Sequence, residues 1–261
     1  MSDSQFTTEE IEDIQQSGEV ANLPFSADII QGFFIRLNEE PINGRLEALQ
    51  LGKDVCSMFP EPLPNHIWYT ACHLFNQFFV TNGLKDYPLE EIILTCIHIS
   101  LKVWEIEIEI ETLCHPWAPN KLINWDIEVL NLVNIEFCVN TGDLDLCEKV
   151  QSALGYFELT SSSDEDLIIE FYEKTIVSLN DIYLTPMPGI YPGHYLSAAA
   201  FYLTAIRSPV PMTDNWLKHF GLNNSDLFHV YQIIYHTVSR LKALETVSSN
   251  NGSSKPEISK V

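Results

Sequence analysis

The chain has 261 residues, of which 46% are hydrophobic, and a formal charge of −22 from 14 Lys and Arg against 36 Asp and Glu. This length and apolar content suffice for one large or two small folded domains. The acidic field disfavours nucleic acid and anionic lipid as partners, because it repels phosphate. It is compatible either with simple solubility or with a basic partner protein.

Targeting and redox signals are few. No run of 18 apolar residues occurs, and the acidic N-terminus MSDSQFTTEEIEDIQQ lacks an apolar core. We therefore expect neither a membrane span nor a secretion signal. The cysteines form no CxxC pair and are Cys56, Cys72, Cys96, Cys114, Cys138 and Cys147. Their placement favours reduced, mostly buried thiols over disulfides.

The first half of the chain has mainly helical periodicity. A helix is predicted over 43–57, and the prolines of FPEPLP end it. The next helix is predicted over 65–81, with Asn65 as the N-cap and Asn82-Gly83 as the stop. Its broad apolar stripe indicates that it packs in the core.

A third helix is predicted to open at Pro88 and to end near Lys102. It is apolar on almost every side, so we expect it at the buried centre of a helical domain. The following segment, EIEIEIE (105–111), alternates with period two, which alone would indicate a strand. Because it is short and lies between helical patterns, we predict a short exposed helix instead. A further helix is predicted over 121–138, with Glu128 near its start.

The second half repeats this rhythm. Helices are predicted at about 143–155, 164–181, 191–206, 213–220 and 225–246. Ser163 is the predicted N-cap of the second of these, and PMPG (186–189) is the break that follows it. The segment 193–206 is nearly all apolar and indicates a second buried central helix. Two five-helix units with corresponding central helices indicate an internal repeat.

Signals for chemistry are weak throughout. No phosphate-binding glycine loop and no HExxH motif occurs. His66 and His73 are seven residues apart and could share a helix face, but scattered helix histidines are mostly surface or core residues. The glutamates of 105–111 lack the Asp-rich pattern of magnesium-dependent prenyl chemistry and favour a solvated face. We therefore expect no catalytic residue, no metal and no cofactor.

Lys102 and Glu128 each allow two interpretations. A lysine that closes a buried helix can simply extend to water, where the helix dipole favours it. Glu128 can likewise be a solvated residue or a partner of Lys121. Alternatively, the two charges form a docking pair on a binding surface.

Three segments resemble helices of the first cyclin box, namely TACHLFNQFF (70–79), IILTCIHISLKVWE (92–105) and WDIEVLNLVNIEF (125–137). Cyclins typically have a third helix that ends in a lysine followed by one or two acidic residues. Their fifth helix has a glutamate nine residues before an aromatic residue. The chain thus resembles the cyclin family, transcription type, and most closely the cyclin H subtype, over about 43–245.

The resemblance implies an all-α fold of two tandem five-helix cyclin boxes. The expected parts are an N-terminal arm (1–42), a first box (43–142), a second box (143–246) and a disordered tail (247–261). The family's kinase-docking residues correspond here to Lys102, Glu105, Glu128 and Phe137. Trp104 departs from the family, which often has a second carboxylate there. NGRLEALQL does not match the Met-Arg-Ala-Ile-Leu element, so recruitment of RxL substrates is not expected.

The implied function is allosteric activation of a cyclin-dependent kinase, with no chemistry on this chain. A cyclin H-like chain would act in the nucleus, in the CDK-activating kinase of TFIIH, where a third assembly subunit is a further expected partner. No direct nucleic-acid or membrane partner is expected. Two alternatives stay open: another transcription cyclin (C, K, L or Q type), or a TFIIB-like two-box factor that binds DNA. An all-α enzyme is a third.

Overall fold

The computed structural model describes residues 25–39, 42–59, 61–84, 87–108, 119–156, 162–208 and 210–251. Within these ranges every regular element is helical, and the fold is all-α. The α-helices are α1 (Ala27–Glu39), α2 (Ile42–Ser57), α3 (Asn65–Thr81), α4 (Leu89–Val103), α5 (Pro119–Leu132), α6 (Ile135–Cys138), α7 (Leu146–Ala153), α8 (Ser162–Tyr183), α9 (Gly193–Ala205) and α10 (Leu227–Asn251). Short 3₁₀ helices span Met187–Gly189, Trp216–Phe220 and Asn224–Asp226.

Each half is built around the buried helix that its apolar sequence predicts. In the first half α4 packs against α2, α3 and α5, and all but one of its residues from Ile92 to Leu101 are buried. In the second half α9 packs against α8 and α10, and it is buried along almost its whole length. Both central helices are confirmed.

Helix ends differ from the predictions in detail. Pro64, not Asn65, is the N-cap of α3, and Pro88 is the N-cap of α4 rather than its first residue. Both prolines have extended backbone, and neither helix has a side-chain cap. At the other end of α3, Asn82 donates from its amide to the Phe78 carbonyl at 2.8 Å, which satisfies one of the last free carbonyls. Helix α8 begins at Ser162, so Ser163 lies inside its first turn.

The short helix predicted over 105–111 is wrong where the structure describes it, because 106–108 have no regular structure. A Schellman motif ends α4 instead: the Ile106 amide donates to the Leu101 carbonyl at 2.9 Å, and the Glu105 amide donates to the Lys102 carbonyl at 3.2 Å. Glu105 occupies the left-handed position of this motif, with φ 56°, where glycine is usual. Residues 109–111 lie outside the described part of the chain.

The single helix predicted over 121–138 is also wrong, since Val133 and Asn134 separate α5 from α6. Two hydrogen bonds account for the break. The Asn134 side chain accepts from the Phe137 amide at 3.3 Å and so caps α6. The Asn134 amide donates to the Gln77 side-chain oxygen of α3 at 2.7 Å instead of continuing the α5 ladder.

Buried polar contacts join the two halves. The His73 ring lies 2.6 Å from the Pro188 carbonyl through Nδ1 and 2.9 Å from the Tyr183 hydroxyl through Nε2. Tyr183 also stacks on Tyr69, with ring centroids 4.1 Å apart, and its hydroxyl contacts the Thr141 carbonyl at 2.5 Å. Both tyrosine rings are fully buried, so the junction is part of the core.

The predicted domain boundaries stay predictions. Helix α1 lies within the predicted arm, and α10 continues to Asn251, five residues into the predicted tail; 252–261 lie outside the described residues.

Cys56, Cys72, Cys96 and Cys138 are free, buried thiols, as predicted, whereas Cys147 is free and exposed and Cys114 is not described. Among the described helices, none combines the length and the apolar character that crossing a membrane requires.

Candidate functional site

Lys102 stands in the last turn of α4 with its side chain 59% exposed, although the residues just before it, Ile99–Leu101, are buried. Its ammonium lies 2.8 Å from Oδ2 of Asp126 on α5. The Asp126 side chain is only 11% exposed. The pair therefore holds an exposed cation on a nearly buried carboxylate, where the α4 C-terminus also favours positive charge.

His98 contacts the same carboxylate one helical turn before Lys102. Its Nδ1 lies 3.3 Å from Oδ2 of Asp126. Burial of Asp126 would by itself raise the pKa of this carboxyl, but the hydrogen bonds from His98 and Lys102 outweigh it and lower the pKa below its usual value. Asp126 is thus ionised and held from α4 by two groups spaced i, i+4.

Glu128 lies elsewhere on α5. Two residues along an α-helix correspond to a rotation of about 200°, so Glu128 and Asp126 occupy nearly opposite flanks of α5. Glu128 is partly exposed, and among the described side chains none makes a hydrogen bond or ion pair with it. The side chain of Lys121, its other suggested partner, lies outside the described residues. The structure therefore brings Lys102 to Asp126 and not to Glu128.

A groove of about 920 Å³ adjoins Lys102 and is lined by His98, Leu101, Lys102, Glu105, Ile106, Glu107 and Ile108. Glu105 and Glu107 are exposed, whereas Ile106 and Ile108 pack partly against the core. The Schellman motif creates this arrangement by turning the chain back at Glu105. The groove combines apolar side chains with charges of both signs.

Trp104 occupies the position where cyclins often have a second acidic residue, and its side chain contacts the core. Its indole Nε1 donates to the Thr70 hydroxyl of α3 at 2.9 Å, and its ring lies 4.4 Å from the His66 ring. The side chain is therefore held against α3. It anchors the end of α4 from which Lys102 and Glu105 project.

Phe137 lies on α6, separated from Glu128 by the helix break. Its ring is half-buried and meets the His73 ring edge-on, with centroids 5.5 Å apart. Phe137 thus contacts the core with one side of its ring. The two histidines do not form a shared site: His66 packs against Trp104, and His73 contacts Pro188 and Tyr183. Among the described residues no group of three metal-ligating side chains is placed to hold an ion.

Asp126 and His98 were not predicted as site residues. The sequence does carry a signal for His98, since it precedes Lys102 by four residues on a predicted helix. For Asp126 there is none, because WDIE offers two carboxylates and only the rotation of α5 decides which of them meets Lys102.

Comparison with known proteins gives a fold match and no sequence match. No family model and no curated protein matches the sequence. A chain of the yeast TFIIK (Kin28/Ccl1/Tfb3) complex, solved by cryoEM, matches over 82% of this chain and 95% of its own, with 13% identity and a TM-score of 0.56. The chain therefore shares the all-α fold of a subunit of that complex. A chain of the Chaetomium thermophilum CAK complex bound to ATP-gamma-S matches over 92% of this chain and 70% of its own, with 13% identity and a TM-score of 0.46. The TFIIK match agrees with the all-α fold that the resemblance implies.

Proposed function

We propose that the chain is a regulatory cyclin subunit that binds and activates a cyclin-dependent kinase and performs no chemistry of its own. The observation that carries the proposal is the exposed Lys102 at the end of a buried central helix, at the position where the resemblance to cyclins places the docking lysine. The fold shared with a chain of the Kin28/Ccl1/Tfb3 complex supports it. A kinase and a third subunit are the partners that such a complex implies.

The proposed mechanism is allosteric. The docking residues Lys102, Glu105, Glu128 and Phe137 would contact the kinase near its mobile αC helix and hold that helix inward. This position completes the kinase Lys–Glu ion pair and orders the activation loop, which catalysis requires. The lysine has three N–H donors, of which one is used by Asp126, so two remain for acceptors on the partner.

The finer proposal is a cyclin H-like role in a CDK-activating kinase of the TFIIH type. The complex would phosphorylate kinase activation loops and the RNA polymerase II C-terminal domain, and it would act in the nucleus. The charge of −22 suits a partner with a basic surface.

Charge reversal tests the proposal. The double variant Lys102→Glu, Glu128→Lys keeps the net charge and is expected to abolish co-purification of the kinase while leaving the helical circular dichroism unchanged. The matched control is Lys174→Glu, Glu170→Lys, which reverses an exposed i, i+4 ion pair on α8 and should not affect kinase binding. Normal kinase binding and activation by the first variant would refute the docking assignment. Loss of DNA binding in the same variant would instead favour the TFIIB-like alternative.

A further inference from the structure

Two side chains near the C-terminal end of α4 form a clasp around one carboxylate in the middle of α5. His98 and Lys102 lie four residues apart and therefore on the same face of α4. Both reach Asp126, whose Oδ2 lies 3.3 Å from His98 Nδ1 and 2.8 Å from Lys102 Nζ. Asp126 is nearly buried whereas Lys102 is largely exposed, so the fixed member of the pair is the carboxylate.

This clasp restricts the lysine. A free lysine side chain samples many rotamers, and immobilising it on binding costs affinity. With Nζ already hydrogen-bonded to a carboxylate that the core holds in place, much of that freedom is lost before the partner arrives. The remaining two N–H donors are then presented from a nearly fixed position.

Glu128 contributes nothing to this restriction. It lies about 200° around α5 from Asp126, and among the described residues it has no hydrogen bond or ion pair. A partner segment that contacts Lys102 on one flank of α5 therefore meets Glu128 only if it extends around the helix.

We propose that Asp126, rather than Glu128, is the positioning residue that orients Lys102 for kinase docking, and that Glu128 acts independently on the opposite flank of α5. The role of Lys102 in kinase docking rests on the proposed function. The ion pair itself belongs to the free chain and can be measured without a kinase.

A double-mutant cycle on the full chain tests the coupling, with affinity for the co-purifying kinase as the readout. Asp126→Asn alone should weaken binding by about three- to tenfold, the cost of re-immobilising one long side chain. In a Lys102→Met background the same change should have little effect, because no ammonium is left to orient. Glu128→Gln should instead act multiplicatively with both changes. Asp166→Asn, an exposed α8 residue, controls for the loss of one negative charge.

Two outcomes would overturn the inference: independent effects of Asp126→Asn and Lys102→Met, or coupling of Lys102 to Glu128 instead. A wild-type chain that binds no kinase would refute the proposed function, which is a separate result. Carboxyl ¹³C NMR of the free chain would then still show whether Lys102 and Asp126 form an ion pair in solution. Lys102→Met should raise the apparent pKa of Asp126, and an unchanged titration would show that the pair is absent in solution.

Discussion

Acidification is expected to destabilise the junction between the halves through His73. This ring is fully buried, and burial lowers its pKa from 6.5 to about 4, although the hydrogen bond to the Pro188 carbonyl opposes the shift. A carbonyl only accepts, so Nδ1 of the neutral ring carries the proton. Nε2 is then unprotonated and lies 2.9 Å from the Tyr183 hydroxyl oxygen, whose single proton is donated to the Thr141 carbonyl at 2.5 Å.

The direction in which stability changes with pH follows from the lowered pKa of His73. The unfolded chain binds a proton near pH 6.5, whereas the folded chain does so only near pH 4, so the contribution of neutral His73 is present above pH 6.5 and is lost as the pH falls toward 4. Between pH 7 and pH 5 this linkage amounts to about 2 kcal/mol of unfolding free energy. That is a sizeable part of the 5–15 kcal/mol typical of folded proteins.

Urea unfolding followed by circular dichroism at several pH values measures this effect. Carboxylates also titrate as the pH falls, so the comparison is with His73→Asn, whose amide keeps a donor near Pro188 but does not titrate. The wild type should lose about 2 kcal/mol more than the variant between pH 7 and pH 5. Parallel pH profiles would show that His73 is not held neutral by burial.

Two backbone predictions use the same unfolding assay. Glu105→Gly should stabilise the chain by about 1 kcal/mol, because φ 56° at the Schellman position strains a residue with a Cβ; a loss of stability would contradict this. Gly142→Ala should cost about 3 kcal/mol, since φ is 76° and the added Cβ would lie 2.1 Å from the Gly193 carbonyl oxygen. Gly83→Ala, which meets no atom within 4 Å, is the control and should change stability by less than about 0.5 kcal/mol; equal effects of the two alanine variants would refute the close approach.

Apolar patterning predicts the helices that the core defines. Helix α3 spans Asn65–Thr81 as predicted, and both central helices are mostly buried, because apolar residues occur on nearly every side of them. The predictions fail where a contact between distant residues overrides local pattern. Within NLVNIEF only Asn134, whose side chain caps α6, gives a local signal for the break, and its amide is paired with Gln77, which is 57 residues away.

The proposed docking site shows the same limit of prediction from sequence. The lysine is evident from sequence, because a charge at the end of an apolar helix is conspicuous. Its partner is not, because Asp126 and Glu128 are equally plausible by spacing and only the packing of α5 on α4 turns Asp126 toward Lys102. Likewise, EIEIEIE has no glycine to mark the left-handed residue that ends α4.

Helix α3 links the proposed docking residues to the junction. Thr70 accepts the hydrogen bond from Trp104, which anchors the end of α4, and His73, about one turn later, contacts both Phe137 and Tyr183. Thr70 and His73 are both fully buried, so neither contact can shift without repacking the core. The positions of Lys102, Glu105 and Phe137 therefore depend on how the two halves pack, and a variant that loosens the junction should weaken kinase docking without changing any docking residue.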